Sequence, residues 1–327
     1  MTQQNAPART RRPWMSATRC LLAFVAVYLL AVWTPFGQRA ENALFGGEGA
    51  RPAWIYGWSG SAYGSSAMPP LEHTALPTLA VGTALVAAVA LVRRRWWLGG
   101  AALGVIAATV GGKEIARAVL PRPDLVGARE SLLETSFPSG HVAVPAALAL
   151  AAVLVASPRV RPYVMAAGML WLTVTAAAVL ATYHHRPSDV LGTTLLACAC
   201  HLLATRLLPP AEVPADARPP RRLPAVALTL SAAGALVAGA RADSLTESLV
   251  YATAAFLCAT LFWFTTTQPP APPRTGHGPH VTDARTAPGT DLNHHRFSAR
   301  GGGRLTPVVA PARTPVPGTV VSHHIRR

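Results

Sequence analysis

Residues 136–156 read SFPSGHVAVPAALALAAVLVA, and this stretch decides the fold. It opens with a turn-forming Ser-Phe-Pro-Ser-Gly-His run. From Gly140 onward, 19 residues pass without one Asp, Glu, Lys or Arg. Their apolar positions follow neither a helical stripe nor a strand alternation, so every face of the segment avoids water. A block of that kind marks a membrane-crossing helix.

Working outward, similar blocks lie at 16–34, 74–92, 96–112, 163–182, 190–208, 223–240 and 249–265. The 327-residue chain is 51% hydrophobic and only 13% charged, whereas a soluble domain carries roughly a quarter charged residues. That balance excludes an ordinary cytosolic enzyme. Cys20, Cys198, Cys200 and Cys258 all sit inside apolar blocks, so a small disulfide-stapled secreted scaffold is excluded as well. The expectation is an all-α, polytopic transmembrane helical bundle with about eight spans. A basic amino terminus (1–15) precedes a membrane core (16–208). A Pro-rich linker (209–222) then leads to two additional helices (223–267) and a tail (268–327). The first block is long and no small-x-small site closes it, which favours an uncleaved anchor over a cleaved signal peptide.

Orientation follows from the arginines of the short loops. Arg93, Arg94 and Arg95, then Arg159 and Arg161, then Arg206, Arg218, Arg221 and Arg222 occupy alternate connections, and Arg9, Arg11 and Arg12 precede the first block. The intervening loops hold Glu41, Glu48, Glu72, Asp124, Glu130, Glu134, Asp243 and Glu247. The positive-inside rule makes the arginine loops cytoplasmic, the acidic loops extracytoplasmic and both termini cytoplasmic, which suits an integral plasma-membrane protein. The tail is rich in Pro, Gly, Thr, Arg and His and has no apolar period, so it is expected to be disordered. Its histidines, His277, His280, His294, His295, His323 and His324, lack the carboxylates or cysteines of a metal site, and no metal or cofactor is expected. Most of the net charge of +15 thus sets topology or belongs to the tail, where it can meet anionic membrane lipids. A nucleic-acid partner is not implied.

Three polar clusters are left over on the outer side. The first is Lys113, the only lysine in the chain, with Arg117 one turn later and then Arg122, Pro123 and Arg129. Positive charge is disfavoured on that side, so this group asks for an anion. The second is Ser136 to His141: Gly140 allows close backbone approach, and the first turn of the following helix offers free N–H groups and a positive dipole end, the parts of a phosphate cradle. The third is Tyr183-His184-His185-Arg186-Pro187-Ser188-Asp189. His185 and Asp189 share a face if the sixth helix begins there, so the carboxylate can fix the imidazole tautomer and leave its other nitrogen free to attack phosphorus. Singly, each cluster has a plainer explanation as snorkelling anchors, a helix cap and turn, or a capped interfacial histidine pair. Their convergence on one membrane face, through a topology inferred from other arginines, favours one phosphate-handling site.

These residues also carry a family resemblance. Lys113 through Arg122-Pro123, then Pro138-Ser139-Gly140-His141, then His185-Arg186-Pro187-Ser188-Asp189 resemble the three ordered motifs of the type 2 phosphatidic acid phosphatase (PAP2) superfamily of integral membrane enzymes, over roughly residues 75–208. The resemblance implies a six-helix transmembrane core and metal-independent phosphate-ester hydrolysis through a phosphohistidine. It would make His185 the nucleophile, Asp189 its orienting carboxylate and His141 the general acid. Lys113, Arg122, Ser139 and the Gly140 backbone would hold the phosphoryl oxygens. Two departures stand out. Eight residues separate Lys113 from Arg122 where the family usually has six, and Arg117 stands nearer, to share or replace the lysine's role. The family's Ser-Arg before the histidine is replaced by Ala178-Val179; Arg186 is left either to substitute for that arginine or to face the headgroups.

The expected function is hydrolysis of a lipid-linked phosphate or diphosphate, of polyprenyl diphosphate, phosphatidic acid or phosphatidylglycerophosphate type, on the outer face. A non-catalytic scaffold that binds anionic lipid and a phosphotransferase on the same fold are the alternatives. Retention of both histidines and Asp189 argues against the scaffold.

Overall fold

The computed structural model describes residues 14–45, 72–209, 220, 222–240 and 244–267. The basic run 1–13, most of the Pro-rich linker and the tail 268–327 with its histidines lie outside the described residues. Among the described residues there are nine α-helices, one 3-10 turn and no strand. They are α1 (Trp14–Val32), α2 (Pro35–Phe45), α3 (Glu72–Val92), α4 (Trp96–Val119), α5 (Gly140–Val155), α6 (Arg161–Ala181), α7 (Pro187–Leu207), α8 (Leu223–Ala238) and α9 (Leu245–Thr266).

The eight apolar blocks are eight helices. By length and hydropathy α3, α4, α6, α7 and α9 each suffice to cross a membrane, and α1 does so only together with α2, from which it is bent by 80°. The apolar helices α5 and α8 are shorter, at 16 residues each, about 24 Å. The element that hydropathy does not reveal is α2. The polar, Gly- and aromatic-containing stretch 35–73 lies between the first two apolar blocks, yet its first eleven residues are helical. Thr34 caps that helix by accepting from Gly37 N at 3.0 Å, and Pro35 opens it, where no N–H is needed. Its inward face carries Gln38 and Glu41, which are 1% and 6% exposed. An inward polar face is the reverse of the pattern that identifies a helix from hydrophobicity. At about 16 Å, α2 is too short to cross a hydrocarbon core of roughly 30 Å.

Two helix boundaries also differ from the sequence expectation. The third apolar block, expected to end at Gly112, continues as helix to Val119 because Glu114 to Val119 are mostly good helix formers; the helix stops before Pro121. The sixth begins at Pro187, so His185 precedes it and does not share a helical face with Asp189.

Buried on nearly every side, α5 is flanked by α3, α4, α6 and α7. Its neighbours present mainly Ala, Val, Leu and Gly, the small and branched residues that let helices approach where lipid removes the hydrophobic drive for association. The last helix, α9, packs along both α6 and α7. Cys258 of α9 lies 3.6 Å from Val190 O of α7, and Tyr251 donates to Leu44 O of α2 at 2.6 Å. The two helices after the linker are therefore built into the bundle. At its other end, Arg161 reaches Thr266 O and Arg93 bonds Val155 O. The α1–α2 corner, the α4–α5 loop, the α6–α7 loop and the start of α9 thus share one end of the bundle, opposite the arginine loops.

Candidate active site

At that shared end, the start of α5 and the α6–α7 loop meet. Ser139 is the N-cap of α5, its Oγ accepting from Val142 N at 3.3 Å. This fixes Gly140 and His141 as the first two helical residues. Ser139 N donates to Asp189 O at 3.2 Å, and Thr193 Oγ donates to Ser139 O at 3.0 Å. Two motifs 50 residues apart in sequence are thereby joined through their backbones.

On the other side, α7 starts in a capping box. Arg186 is the N-cap, Pro187 the first helical residue and Asp189 the third, with Arg186 N donating to Asp189 Oδ2 at 2.9 Å. The same oxygen lies 3.3 Å from His185 Nδ1. Asp189, fully buried, thus caps the helix and orients the histidine at once. The helix cap and the histidine contact are one arrangement. His185 Nε2 lies 2.9 Å from His141 Nδ1, with ring centroids 5.0 Å apart and planes at 64°. The tautomers that satisfy both bonds have His185 donating from Nδ1 to Asp189 and His141 donating from Nδ1 to His185. An ordered chain Asp189–His185–His141 results. The neighbouring His184 ring stands 5.6 Å from His141, edge-on, and its Nδ1 meets Thr182 Oγ at 2.8 Å.

Lys113 comes to this pair from α4. Its side chain is 10% exposed and paired with the exposed Glu114. A Cβ added at Gly140 would sit 3.3 Å from Lys113 Nζ, so the missing side chain there gives the ammonium its seat against the α5 N-terminus. Arg117, exposed on the same helix, adds to the positive field at His141. Lys113, Arg117, Ser139, Gly140, His141, His185 and Asp189 are thus one assembly.

Arg122 is placed differently. Its guanidinium turns to α2, 3.5 Å from Glu41 Oε2 and 3.3 Å from Asn42 Oδ1, and its side chain is only 5% exposed. Arg186 faces no headgroup: it is 1% exposed and donates to Ser136 Oγ at 2.9 Å and Leu132 O at 2.7 Å. It fastens the loop before α5 to the start of α7. Burial and the Arg122 guanidinium push its pKa down, while the carboxylates of Asp189, Glu41 and Glu134 pull it up. Arg129 makes no bond to the histidines among the described contacts; its carbonyl accepts from Leu132 N in the 3-10 turn.

Sequence reasoning passed over Glu41, counted only as an acidic loop residue. Oε1 accepts from Ser188 N at 3.2 Å and Oε2 from Arg122. Burial, then the Asp189 carboxylate, push its pKa up to about 7, against the pull of Ser188, Arg122 and Arg186. The available signal was Thr34-Pro35, a cap-and-first-turn pair that announces a helix, with Gln38 and Glu41 three residues apart on it. A small cleft beside the site is lined by Tyr28, Val32, Leu120, Arg122, Ser136 and Phe137, so one polar edge meets apolar walls. No cluster of three metal-ligating side chains occurs among the described residues.

Compared with known families, residues 94–212 match the family model described as the PAP2 superfamily; this segment contains α4 to α7 and all the site residues of the three motifs. No curated protein and no solved structure matches the chain.

Proposed function

The chain belongs to the PAP2 superfamily through residues 94–212, a family of phosphate-ester phosphatases, and from that premise we propose that it is a membrane phosphatase acting on a lipid-linked phosphate or diphosphate through a phosphohistidine at His185. The observation that carries this reading is the Asp189–His185–His141 chain, with its bonds of 3.3 and 2.9 Å.

His185 Nε2 attacks phosphorus while Nδ1–H stays bonded to Asp189, which offsets the positive charge that develops on the ring. The N–P bond forms and the P–O ester bond breaks. His141 enters this step as an imidazolium, having taken the ionisable proton of the substrate's phosphate monoanion on its second ring nitrogen; it passes a proton to the leaving oxygen and is left neutral. Neutral His141 then takes a proton from water, whose oxygen attacks phosphorus; the P–N bond breaks and phosphate departs. The negative charge of the five-coordinate state is met by Lys113, Arg117 and the N–H groups of the first α5 turn, and by Arg122, which lines the cleft beside Ser136 and Phe137. At 2.9 Å the two histidines leave no room for phosphorus between them, so the phosphoryl group takes the place of their hydrogen bond and the rings part to admit it.

Support for a lipid substrate comes from the position of the site at the end of a bundle whose helices are long and apolar enough to cross a membrane. Support for an extracytoplasmic site comes from the acidic loops at the site's end of the bundle and the arginine loops at the other. The test is a phosphate-release panel on the detergent-purified protein with polyprenyl diphosphate, phosphatidic acid, phosphatidylglycerophosphate and a soluble ester. At least one lipid should be hydrolysed, and His185→Ala should abolish release with the protein still folded. Unchanged turnover in that variant overturns the mechanism.

A further inference from the structure

The reaction above leaves one buried carboxylate unused. Glu41 is 6% exposed, and an ionised carboxylate is unfavourable in such a place unless paired and hydrogen-bonded. A contact serving only to seat α2 on α7 needs no charge. Both oxygens nevertheless go to elements of the site. Oε1 takes the N–H of Ser188, in the same turn as Asp189, and Oε2 takes a guanidinium N–H of Arg122. One turn earlier, Gln38 bonds Pro123 O at 2.6 Å and Leu125 N at 3.1 Å, holding the backbone just past that arginine. The face of α2 thus grips the first and third motifs together.

We infer that Glu41 is a positioning residue: Oε1 sets the first turn of α7, which carries Asp189, and Oε2 sets the Arg122 guanidinium beside the arriving phosphoryl oxygens. This rests on the phosphatase reading and on Arg122 as a phosphate-binding residue within it. The charged groups facing Glu41 are Arg122 from the α4–α5 loop and Arg186 and Asp189 from the start of α7. With its pKa near 7, Glu41 loses its charge as the pH falls through that value. It then still accepts from Ser188 N but no longer holds Arg122 by charge, as a glutamine would.

The test is calorimetric binding of orthovanadate, a phosphoryl analogue, to the full chain in detergent. Compared are the wild type, Glu41→Gln, Arg122→Ala, the double variant and His185→Ala. At pH 8, Glu41→Gln should raise Kd about tenfold, the scale of one charge-assisted bond. It should add nothing in the Arg122→Ala background, and its ratio to wild type should narrow toward one by pH 6. Equal Kd values for Glu41→Gln and wild type at pH 8, the same loss with or without Arg122, or a ratio flat with pH each overturn the inference. Should the amide variant not be recovered, Glu41→Asp keeps the charge one methylene short, and its Kd must fall between wild type and Arg122→Ala; a value outside that interval overturns the inference. Wild type that binds no vanadate, or His185→Ala that still turns over lipid, overturns the phosphatase reading instead.

Discussion

His141 is the residue on which the division of labour at the site turns. It is the second residue of α5, its Nδ1 is committed to His185, and in the proposed reaction its proton goes to the leaving oxygen. His141→Ala should therefore lower kcat on a lipid ester by about 10²- to 10⁴-fold, the usual weight of a general acid. The loss should be far smaller on an aryl phosphate, whose leaving group needs no proton. Parallel rate measurements on the two substrates check this, and equal losses would remove His141 from that role. Both histidines and Asp189 were legible in the sequence because they lie within short motifs beside the starts of α5 and α7. The geometry added that Asp189 caps and orients together. Arg122 and Arg186 were not legible in the same way: a guanidinium has long reach and many donors, so its partner depends on which element folds over it. Here that element is α2 for one and the 130–136 segment for the other.

At the scale of elements, the loop before α5 is held in place by packing as much as by hydrogen bonds. Phe137 is 4% exposed and packs at a tilt against Phe24 and Tyr28 of α1, 5.1 and 5.3 Å between ring centroids. Its ring edge fills the space left by Gly192 on α7, where a Cβ would come within 2.4 Å of Cε2. Gly192→Ala should therefore push Phe137 off α7 and, two residues on, disturb the Ser139 cap. Overpacking of this sort costs about 1–3 kcal/mol, to be read as a lower thermal midpoint in detergent together with reduced phosphate release; a variant as stable and active as wild type would refute the contact's importance. The apolar helices could be located from hydropathy because membrane spans leave a strong, one-dimensional signal. The short α2 left none, since what it buries is polar and its helix start is written only in Thr34 and Pro35.

For the whole molecule, the arrangement of α9 matters most. Sequence places it after a Pro-rich linker, as the second of two additions to the six apolar blocks before that linker. In three dimensions it runs along both α6 and α7, and Glu247 near its start accepts a hydrogen bond from Tyr183 at 3.1 Å. Tyr183 stands two residues before His185, at a backbone φ of +56° that is uncommon for a side-chain-bearing residue, so that contact helps hold the loop that carries His185. A chain ended after residue 208 should consequently lose phosphate release and elute as aggregate, whereas one ended after residue 267 should keep both activity and a monodisperse profile. Release assays and size-exclusion profiles of the two would decide it. Active protein from the shorter chain would show that the preceding helices suffice.

The same seam bears on how the protein comes to exist in the bilayer. Helices leave the ribosome in order, so α1 to α7, with all the motif residues, are synthesised before α8 and α9. Until the last helix inserts, Tyr183 lacks Glu247, Leu44 O lacks Tyr251, and the flank of α7 bearing Val190 lies open to lipid. The loop that carries His185 is therefore completed by the final insertion event, and a nascent chain stalled short of α9 carries every motif residue without the frame that aligns them.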